Sequence, residues 1–371
     1  MSAGLGEIFK SVPDYRRDCA LKLHLLADIL LLSLCAVVSG AENAEEIATY
    51  GEQKKEFLRT FLSLPNGIPS HDTITRVFRY LNKDEFAQCL LRHSEQVLDF
   101  LQEQHISIDG KVLRATARSG KKKSGICIIT AWACEQKLVL GQLKTAEKSN
   151  EKTAIPALLA DLSLAESVVS IDAIANNPQV AEQIINKGGH YILSLKNNQQ
   201  HAFEQVADFM KARIGILNAH TSLDFGSGRI ETRTCYVLDK LDLLEQLQAW
   251  SGIKSAIMVH AKREFDNKTQ EEYRFYVSSK KETPQYFNNR IRAHWGIENQ
   301  LHWHLDVSFE EDKNRTRMGN GAENQHTLRK LALQLLQQMH DKHSVKERRK
   351  KAGWNNDYLL QILSLSIIKC V

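Results

Sequence analysis

Two aspartates, Asp109 and Asp172, stand at the ends of two predicted β-strands, where their carboxylates could hold a hard divalent cation. Each ends a short run of apolar and β-branched residues, His105–Asp109 and Ser167–Asp172, that is typical of a strand. Mg²⁺ prefers carboxylate and water oxygens to nitrogen or sulfur. An aspartate at a strand end can also cap a turn or the next helix, so neither residue alone establishes a site.

A third carboxylate could come from the later segment Arg292–Phe309, which is predicted to be helical. His294, Glu298, His302 and Asp306 recur every four residues there, so they share one side of the helix. The same pattern is typical of a solvated face held by charge pairs one turn apart. A zinc site formed by the two histidines and Glu298 is another interpretation, although the HExxH motif is absent. The spacing does not choose between Glu298 and Asp306 as a metal ligand.

The order of the predicted elements places the two aspartates side by side in a mixed five-stranded sheet. Further strands are predicted at Ile126–Glu135, Lys137–Lys144 and His190–Leu195, and helices at Thr153–Leu162 and Gln179–Lys187. The resulting order, β-β-β-α-β-α-β, allows the fourth strand to pair beside the first. Both aspartates would then lie at the carboxyl ends of their strands, where α/β sheets usually build their sites.

The character of the sequence changes outside this core, and we expect five regions. Residues 1–100 form a helical domain, 101–201 the first part of the core, 202–283 a β-rich insertion, 284–345 the rest of the core, and 346–371 a basic helical tail. Helices are predicted at Leu23–Ser39, Glu42–Leu62, Asn288–Leu305 and Ala322–His340. The strands of the insertion are predicted at Glu231–Leu238, Lys254–Arg263 and Glu272–Ser279.

Length and composition indicate a globular protein of several domains. The chain has 371 residues, of which 43% are hydrophobic and 25% charged, with a net charge of +5 that permits a polyanionic partner. Its seven cysteines contain no CxxC pair, which favours a reducing cytoplasm over a disulfide framework. The most apolar stretch, Leu25–Val38, is interrupted by Asp28 and is too short to span a bilayer, so we expect no membrane segment.

Segments along nearly the whole chain resemble the ISAs-type transposases, which include the H-repeat-associated proteins of enteric bacteria. The matching segments include Asn66–Arg76 (NGIPSHDTITR), Ile108–Arg114 (IDGKVLR), Glu147–Leu159 (EKSNEKTAIPALL) and Arg292–Phe309. The family implies an α/β fold with an RNase H-like core, a β-rich insertion and a DDE metal triad. Matched position by position, the triad is Asp109, Asp172 and Glu298.

The resemblance implies an enzyme that cuts and joins DNA with Mg²⁺, for which Mn²⁺ could substitute. Two such ions about 4 Å apart can activate an attacking oxygen and stabilise a leaving one. The partners would be double-stranded DNA, both the terminal inverted repeats of a mobile element and its target, and a second copy of the chain. Candidate phosphate contacts are the basic residues Lys111, Arg114, Lys196, Arg229, Arg292, Arg315 and Arg317. Candidate supporting residues are His294, Asn299, His302 and Asp306.

Several positions depart from the family pattern and keep other functions open. Asn197 stands where the family has a glycine, and the usual Met-Gly-Cys-Gln-like turn after Asp172 reads Ile174–Gln179. The offsets that carry Tyr, Arg and Lys around the glutamate of related enzymes fall on Ile291, His294 and Leu305. The alternatives are a DNA-binding remnant without transposition activity and a nuclease that cuts DNA without strand transfer. A zinc hydrolase of small molecules is a more remote possibility.

Overall fold

A single mixed sheet of nine strands runs through the computed structural model, which describes residues 4–17, 22–97, 104–117, 125–145, 151–172, 176–226, 228–265 and 268–364. The strands are β1 His105–Leu113, β2 Ile126–Ala133, β3 Leu138–Lys144, β4 Val168–Ile171, β5 His190–Leu195, β6 Asn218–Gly226, β7 Arg229–Leu238, β8 Ser255–Phe265 and β9 Lys268–Ser278. Their order across the sheet is β3-β2-β1-β4-β5-β9-β8-β7-β6.

The helices lie on both sides of this sheet and in the segment that precedes it. Before the sheet come α1 Leu5–Lys10, α2 Leu26–Val38, α3 Ala44–Gln53, α4 Lys55–Leu58, α5 His71–Tyr80 and α6 Lys83–Val97. Within the sheet region come α7 Glu151–Asp161, α8 Pro178–Asn186 and α9 Gln200–Lys211. After it come α10 Pro284–His294, α11 Trp303–Val307, α12 Gly321–Gln337, α13 Val345–Trp354 and α14 Asn356–Ser364, with a π-helix at Ile297–His302 between α10 and α11. No helix among the described residues is long and apolar enough to cross a bilayer.

The strand pairing expected around the two aspartates is confirmed. β1 pairs in parallel with β4, with Ile108 opposite Ile171, and antiparallel with β2, with Asp109 opposite Thr130. The prediction that Asp109 ends its strand is wrong, since β1 continues to Leu113. It continues because β2 still supplies hydrogen bonds after β4 has ended at Ile171.

The β-rich segment extends the same sheet instead of forming one of its own. β9 pairs antiparallel with β5, with Ile192 opposite Ser278, and β8, β7 and β6 follow outward as antiparallel neighbours. The sequence analysis missed β6, the outermost strand. Its partly buried positions carry the polar residues His220, Ser222 and Asp224, whereas Leu223 and Phe225 are exposed, so no apolar residues mark its inner face.

The helices before the sheet share one hydrophobic core with those at the end of the chain. α2 is buried along nearly its whole length, and its Leu30 and Leu34 belong to the same cluster as Leu331 and Leu335 of α12. The predicted basic tail contributes to this packing as well. Arg349 of α13 is 5% exposed and donates hydrogen bonds to the carbonyl oxygen of Val37 at the end of α2.

Candidate active site

Asp109 and Asp172 come from neighbouring parallel strands and lie on the same face of the sheet. Ile108 and Ile171 are opposite each other, so the next residue on each chain is an aspartate, and neighbouring strands lie about 4.8 Å apart. On β1, Ile106 and Ile108 face the apolar helices α7 and α8, and the alternation of a strand turns Asp109 to the opposite face. Asp172 follows Ser170 by two residues, which places it on the polar face that Ser170 shares with His105.

The segment from α10 to α11 crosses this polar face, and its four-residue stripe contacts the strands directly. His294 Nδ1 lies 2.8 Å from Ser170 Oγ on β4. His302 Nδ1 lies 3.5 Å from the Asp109 carboxylate on β1. Two residues further along β1, Lys111 donates to Asp306 at 2.5 Å. His294, His302 and Asp306 therefore do not form a solvated surface, and their contacts fix the helical segment across β4 and β1.

Glu298 lies on this stripe between His294 and His302, within the π-helix. Burial raises the pKa of the Glu298 carboxyl, and the nearby Asp172 carboxylate raises it further, while Arg274 and Lys196 oppose the shift. Glu298 is nevertheless exposed as a residue, so its carboxylate stays open to solvent.

The close approach of this helical segment to the sheet depends on Gly296. A side-chain Cβ at this position would lie 2.9 Å from the ring of Trp132 on β2, which is 1% exposed and has no room to move. Leu301 and Leu305 pack into the core that also contains Trp132. Only glycine allows the chain to enter the π-helix at this distance from β2.

Basic and aromatic side chains surround the carboxylates at the end of β4. Lys196 Nζ lies 3.1 and 3.4 Å from the two carboxylate oxygens of Asp172. Arg274 of β9 stacks over the Trp295 ring at 4.6 Å, and both residues line the cleft that also contains Asp172 and His294. Burial lowers the pKa of His294 to about 4, so this imidazole is neutral near pH 7. The sequence analysis missed Arg274, because it lies on a strand that was not expected to reach the site.

The donor set fits an oxygen-liganded divalent cation. Among the described residues no three histidine, cysteine or acidic side chains are already grouped as a metal cage. However, Asp172 already neutralises its charge with the Lys196 ammonium, and the pKa of Glu298 is raised partly by Asp172. Both observations describe acidic groups that a cation would stabilise. The Nδ1 atoms of His294 and His302 contact Ser170 and Asp109, on two different strands, instead of converging with Glu298 on one point as a zinc site would require.

The basic residues proposed as phosphate contacts are not equivalent. Lys111 is 6% exposed and bonded to Asp306, so its assignment as a surface contact is wrong; it is buried because it faces the helix that covers β1. Lys196 and Arg292 are exposed and paired with Asp172 and Asp224. The remaining candidates are exposed: Arg114, Arg229, Arg315 and Arg317. Asn299 is exposed beside Glu298.

A buried polar network behind the carboxylates was not anticipated from the sequence. Glu311 is 5% exposed and accepts a hydrogen bond from His326 at 2.8 Å, although burial lowers the pKa of that histidine to about 4. Lys330 of α12 donates to Thr130 and Gln142 on β2 and β3, and burial lowers its pKa to about 7. Polar residues of α12 such as Lys330 face the sheet. The spacing of polar and apolar residues along α12 therefore resembles that of a helix on the protein surface, which is why the sequence does not reveal the network.

Two family models cover most of the chain. The first, described as DDE_Tnp_1-associated, matches residues 6–94, and the second, described as Transposase DDE domain, matches residues 101–335.

Curated relatives extend over almost the full length of the chain. The chain is 36% identical to "Putative transposase YncI" of Escherichia coli O157:H7, over 95% of this chain and 92% of that protein. It is 34% identical to "H repeat-associated putative transposase YhhI" of Escherichia coli K12, over 97% of each chain. A solved piggyBac transposase synaptic complex with hairpin DNA covers 98% of this chain and 77% of that one, at 11% identity and a TM-score of 0.45, a likeness too low to carry an argument.

Proposed function

The chain belongs to the DDE transposase family, and we propose that it cleaves the ends of a mobile DNA element and joins them to target DNA through Asp109, Asp172 and Glu298. The observation that carries the proposal is the pairing of Ile108 with Ile171, which puts two aspartates on adjacent strands beneath the helical segment of Glu298. Transposases of this family generally depend on divalent metal ions, and Mg²⁺ is the ion that three carboxylates favour.

The three carboxylates would hold the metal, with Mn²⁺ as a substitute. When bound, the metal supplies positive charge that stabilises the phosphate and lowers the pKa of an attacking hydroxyl. The groups of the chain itself position the reactants. Lys196 and Arg274 line the cleft beside Asp172 and can neutralise phosphate oxygens. The imidazole of His302 lies against the Asp109 carboxylate and can orient it. Burial keeps the pKa of His302 well below its usual value, so this ring is uncharged.

Two successive displacements at phosphorus account for the proposed reaction. In the first, water attacks a phosphodiester at the element's end, the bond to the 3′ oxygen breaks, and a 3′-hydroxyl and a 5′-phosphate result. In the second, that 3′-hydroxyl attacks a phosphodiester of the target and displaces a 3′ oxygen there. The number of phosphodiester bonds is unchanged in the second step, so it needs no further reactant. Positioning and charge stabilisation are the contributions expected of a protein to phosphoryl transfer.

The experiment that tests this function compares three substitutions that keep size and shape. Asp109→Asn, Asp172→Asn and Glu298→Gln should each lower Mg²⁺-dependent cleavage of an end-bearing duplex by about a thousandfold or more, because each removes a charge that the reaction requires. Product analysis on a gel distinguishes nicking from joining. Asp208→Asn, on the exposed face of α9, is the matched control and should cleave normally.

Three outcomes would contradict the proposed function. Retained cleavage in any of the three variants would remove that residue from the site. Cleavage without joined products in the unaltered chain would favour the nuclease. Duplex binding without any metal-dependent cleavage would favour the DNA-binding remnant, for which the departures from the family pattern at Asn197 and at 174–179 are the motive.

A further inference from the structure

Helix α5 carries an exposed basic face that lies outside the catalytic centre. Its inner side is formed by Ile74, Val77 and Phe78, each at most 5% exposed. Thr75, Arg76 and Tyr80 are exposed on the outer side, and Arg79 stacks on Tyr80 with 5.0 Å between the guanidinium carbon and the ring centre. The inner side packs through apolar residues alone, so packing does not explain why the outer side carries two arginines.

The loop at 314–320 lies against the end of α5 and adds two further arginines, Arg315 and Arg317. The backbone amide of Asn320 donates to the carbonyl oxygen of Arg79 at 3.0 Å, and its side chain donates to the carbonyl oxygen of Leu81 at 3.0 Å. Gly319, with a φ of +57°, approaches the backbone of Arg79 so closely that a Cβ would collide with it. The loop and the helix end are thus one rigid unit.

The same loop is tied to the strand that carries Asp109. Arg317 Nε donates to the carbonyl oxygen of Ala115 at 3.0 Å, in the short turn that follows β1. Arg114 in that turn has a side chain that is 77% exposed and lies 3.3 Å from Asp312. Since a strand rises about 3.3 Å per residue, Ala115 lies at most about 20 Å from Asp109.

We propose that these elements form a surface for double-stranded DNA, in which the outer face of α5 enters the major groove. We call it the basic ridge and define it by its cationic residues, Arg76, Arg79, Arg114, Arg315 and Arg317. The proposal rests on the proposed function, and goes beyond it by adding α5, in the segment before the sheet, to the surface that binds duplex DNA.

The shape of the ridge favours a duplex over an acidic protein. The ten residues of α5 span about 15 Å, and the major groove accepts a helix. Arg76 and Arg79 lie on successive turns of one face, so they can reach phosphates or base edges along one groove. Ala115, which Arg317 contacts, lies within about 20 Å of Asp109, a span of about six base pairs of B-form DNA, so a duplex bound at Arg317 can reach the carboxylates.

The test uses two ridge residues whose removal should not disturb folding. Arg76 and Arg315 come from different elements, are exposed, and make no hydrogen bond or ion pair within the part of the chain that the structure describes. The variant Arg76→Gln/Arg315→Gln loses two positive charges. The matched control, Lys346→Gln/Lys350→Gln, loses two exposed charges on α13, a helix that contributes no residue to the ridge. Circular dichroism and melting temperature check that both variants fold.

Binding is measured in EDTA by fluorescence anisotropy, so that cleavage cannot interfere. The probe is a fluorescein-labelled duplex of the DNA that flanks the gene, with a scrambled duplex of equal length beside it. We expect the ridge variant to bind both duplexes about tenfold more weakly, with a slope of log affinity against log salt that is shallower by about 2. The control should stay within about twofold of the unaltered chain.

Equal binding by the ridge variant and the unaltered chain would overturn the proposal, as would an equal loss in the control. A ridge that binds polyglutamate but not duplex would overturn it too. The proposed function fails separately, because it is read from metal-dependent cleavage. Ridge-dependent binding without cleavage rejects the function alone, and cleavage with unchanged binding in the ridge variant rejects the ridge alone.

Discussion

The two faces of the sheet divide stability and chemistry between them. On the face covered by α7, α8 and α9, the strands contribute apolar side chains such as Ile106 and Ile108 to one hydrophobic cluster. On the opposite face the same strand contributes His105, Ser107 and Asp109, which meet polar groups of β4 and the helical segment above it. One strand with a period of two thus supplies a core on one side and a candidate active site on the other.

The apolar face should respond to substitution in stability alone. Leu159 of α7 is fully buried in its cluster, so Leu159→Ala should lower the free energy of unfolding by about 2–5 kcal/mol. Urea denaturation measures this effect. Cleavage per folded molecule should stay unchanged, because no contact to the carboxylates is removed. A large loss of turnover in the folded fraction would contradict the division between the faces.

The polar face should couple stability to activity through the Lys111–Asp306 pair. Lys111→Met leaves the half-buried Asp306 and the buried Glu311 without this ammonium, which we expect to cost about 2–3 kcal/mol and to lower cleavage. Lys111→Met/Asp306→Leu removes the unpaired carboxylate of Asp306 and should recover part of the stability. Activity should recover less, since the anchor of the helical segment to β1 is still absent.

A double-mutant cycle separates these terms. It compares both single variants with the double variant in urea denaturation and in steady-state cleavage. Equal recovery of stability and activity in the double variant would show that Lys111 acts only by charge compensation. The absence of any coupling between the two positions would show that the pair does not hold the helical segment.

A buried histidine where α6 meets the sheet should make stability depend on pH, and the change per pH unit is the smallest of these effects. His93 is 1% exposed, and burial lowers its pKa to about 4 from the model-peptide value of about 6.5. Between these values the unfolded chain binds a proton that the folded chain does not. The free energy of unfolding should therefore fall as pH drops from about 6.5 to 4, by about 1.4 kcal/mol per pH unit for this group.

The measurement is a series of urea titrations across that pH range. His93→Asn removes the titrating group and keeps a polar partner for Gln334, whose side-chain nitrogen lies 2.7 Å from His93 Nδ1. The pH dependence of this variant should be flatter by about one proton. An unchanged slope would show that His93 does not titrate with the predicted sign.

The sequence predicted well those features that depend on local pattern. The strands around Asp109 and Asp172 were expected from β-branched runs, and their pairing followed from the order of the elements. Features that depend on distant partners were not predicted. The burial of Lys111 depends on Asp306, which lies far along the chain. On the outer strand β6 the apolar residues Leu223 and Phe225 are exposed and the partly buried positions are polar.

In the helical segment around Glu298, one feature was predicted from residue spacing and another, which depends on a distant contact, was not. A spacing of four residues predicted that His294, Glu298, His302 and Asp306 share one side, and His294, His302 and Asp306 do contact the same face of the sheet. It did not predict the π-helix at Ile297–His302, because that turn follows from the contact between Gly296 and Trp132 of β2. The choice of Glu298 over Asp306 came from the family resemblance, and the pairing of Asp306 with Lys111 agrees with it.

The most direct test of the carboxylate site is the binding of Mn²⁺ by the DNA-bound chain, followed by electron paramagnetic resonance. The unaltered chain and the Asp208→Asn control should bind the ion with equal affinity. Asp109→Asn and Asp172→Asn should each bind it at least about tenfold more weakly, because each loses a charged oxygen ligand. Unchanged Mn²⁺ affinity in both aspartate variants, at unchanged stability, would contradict the account.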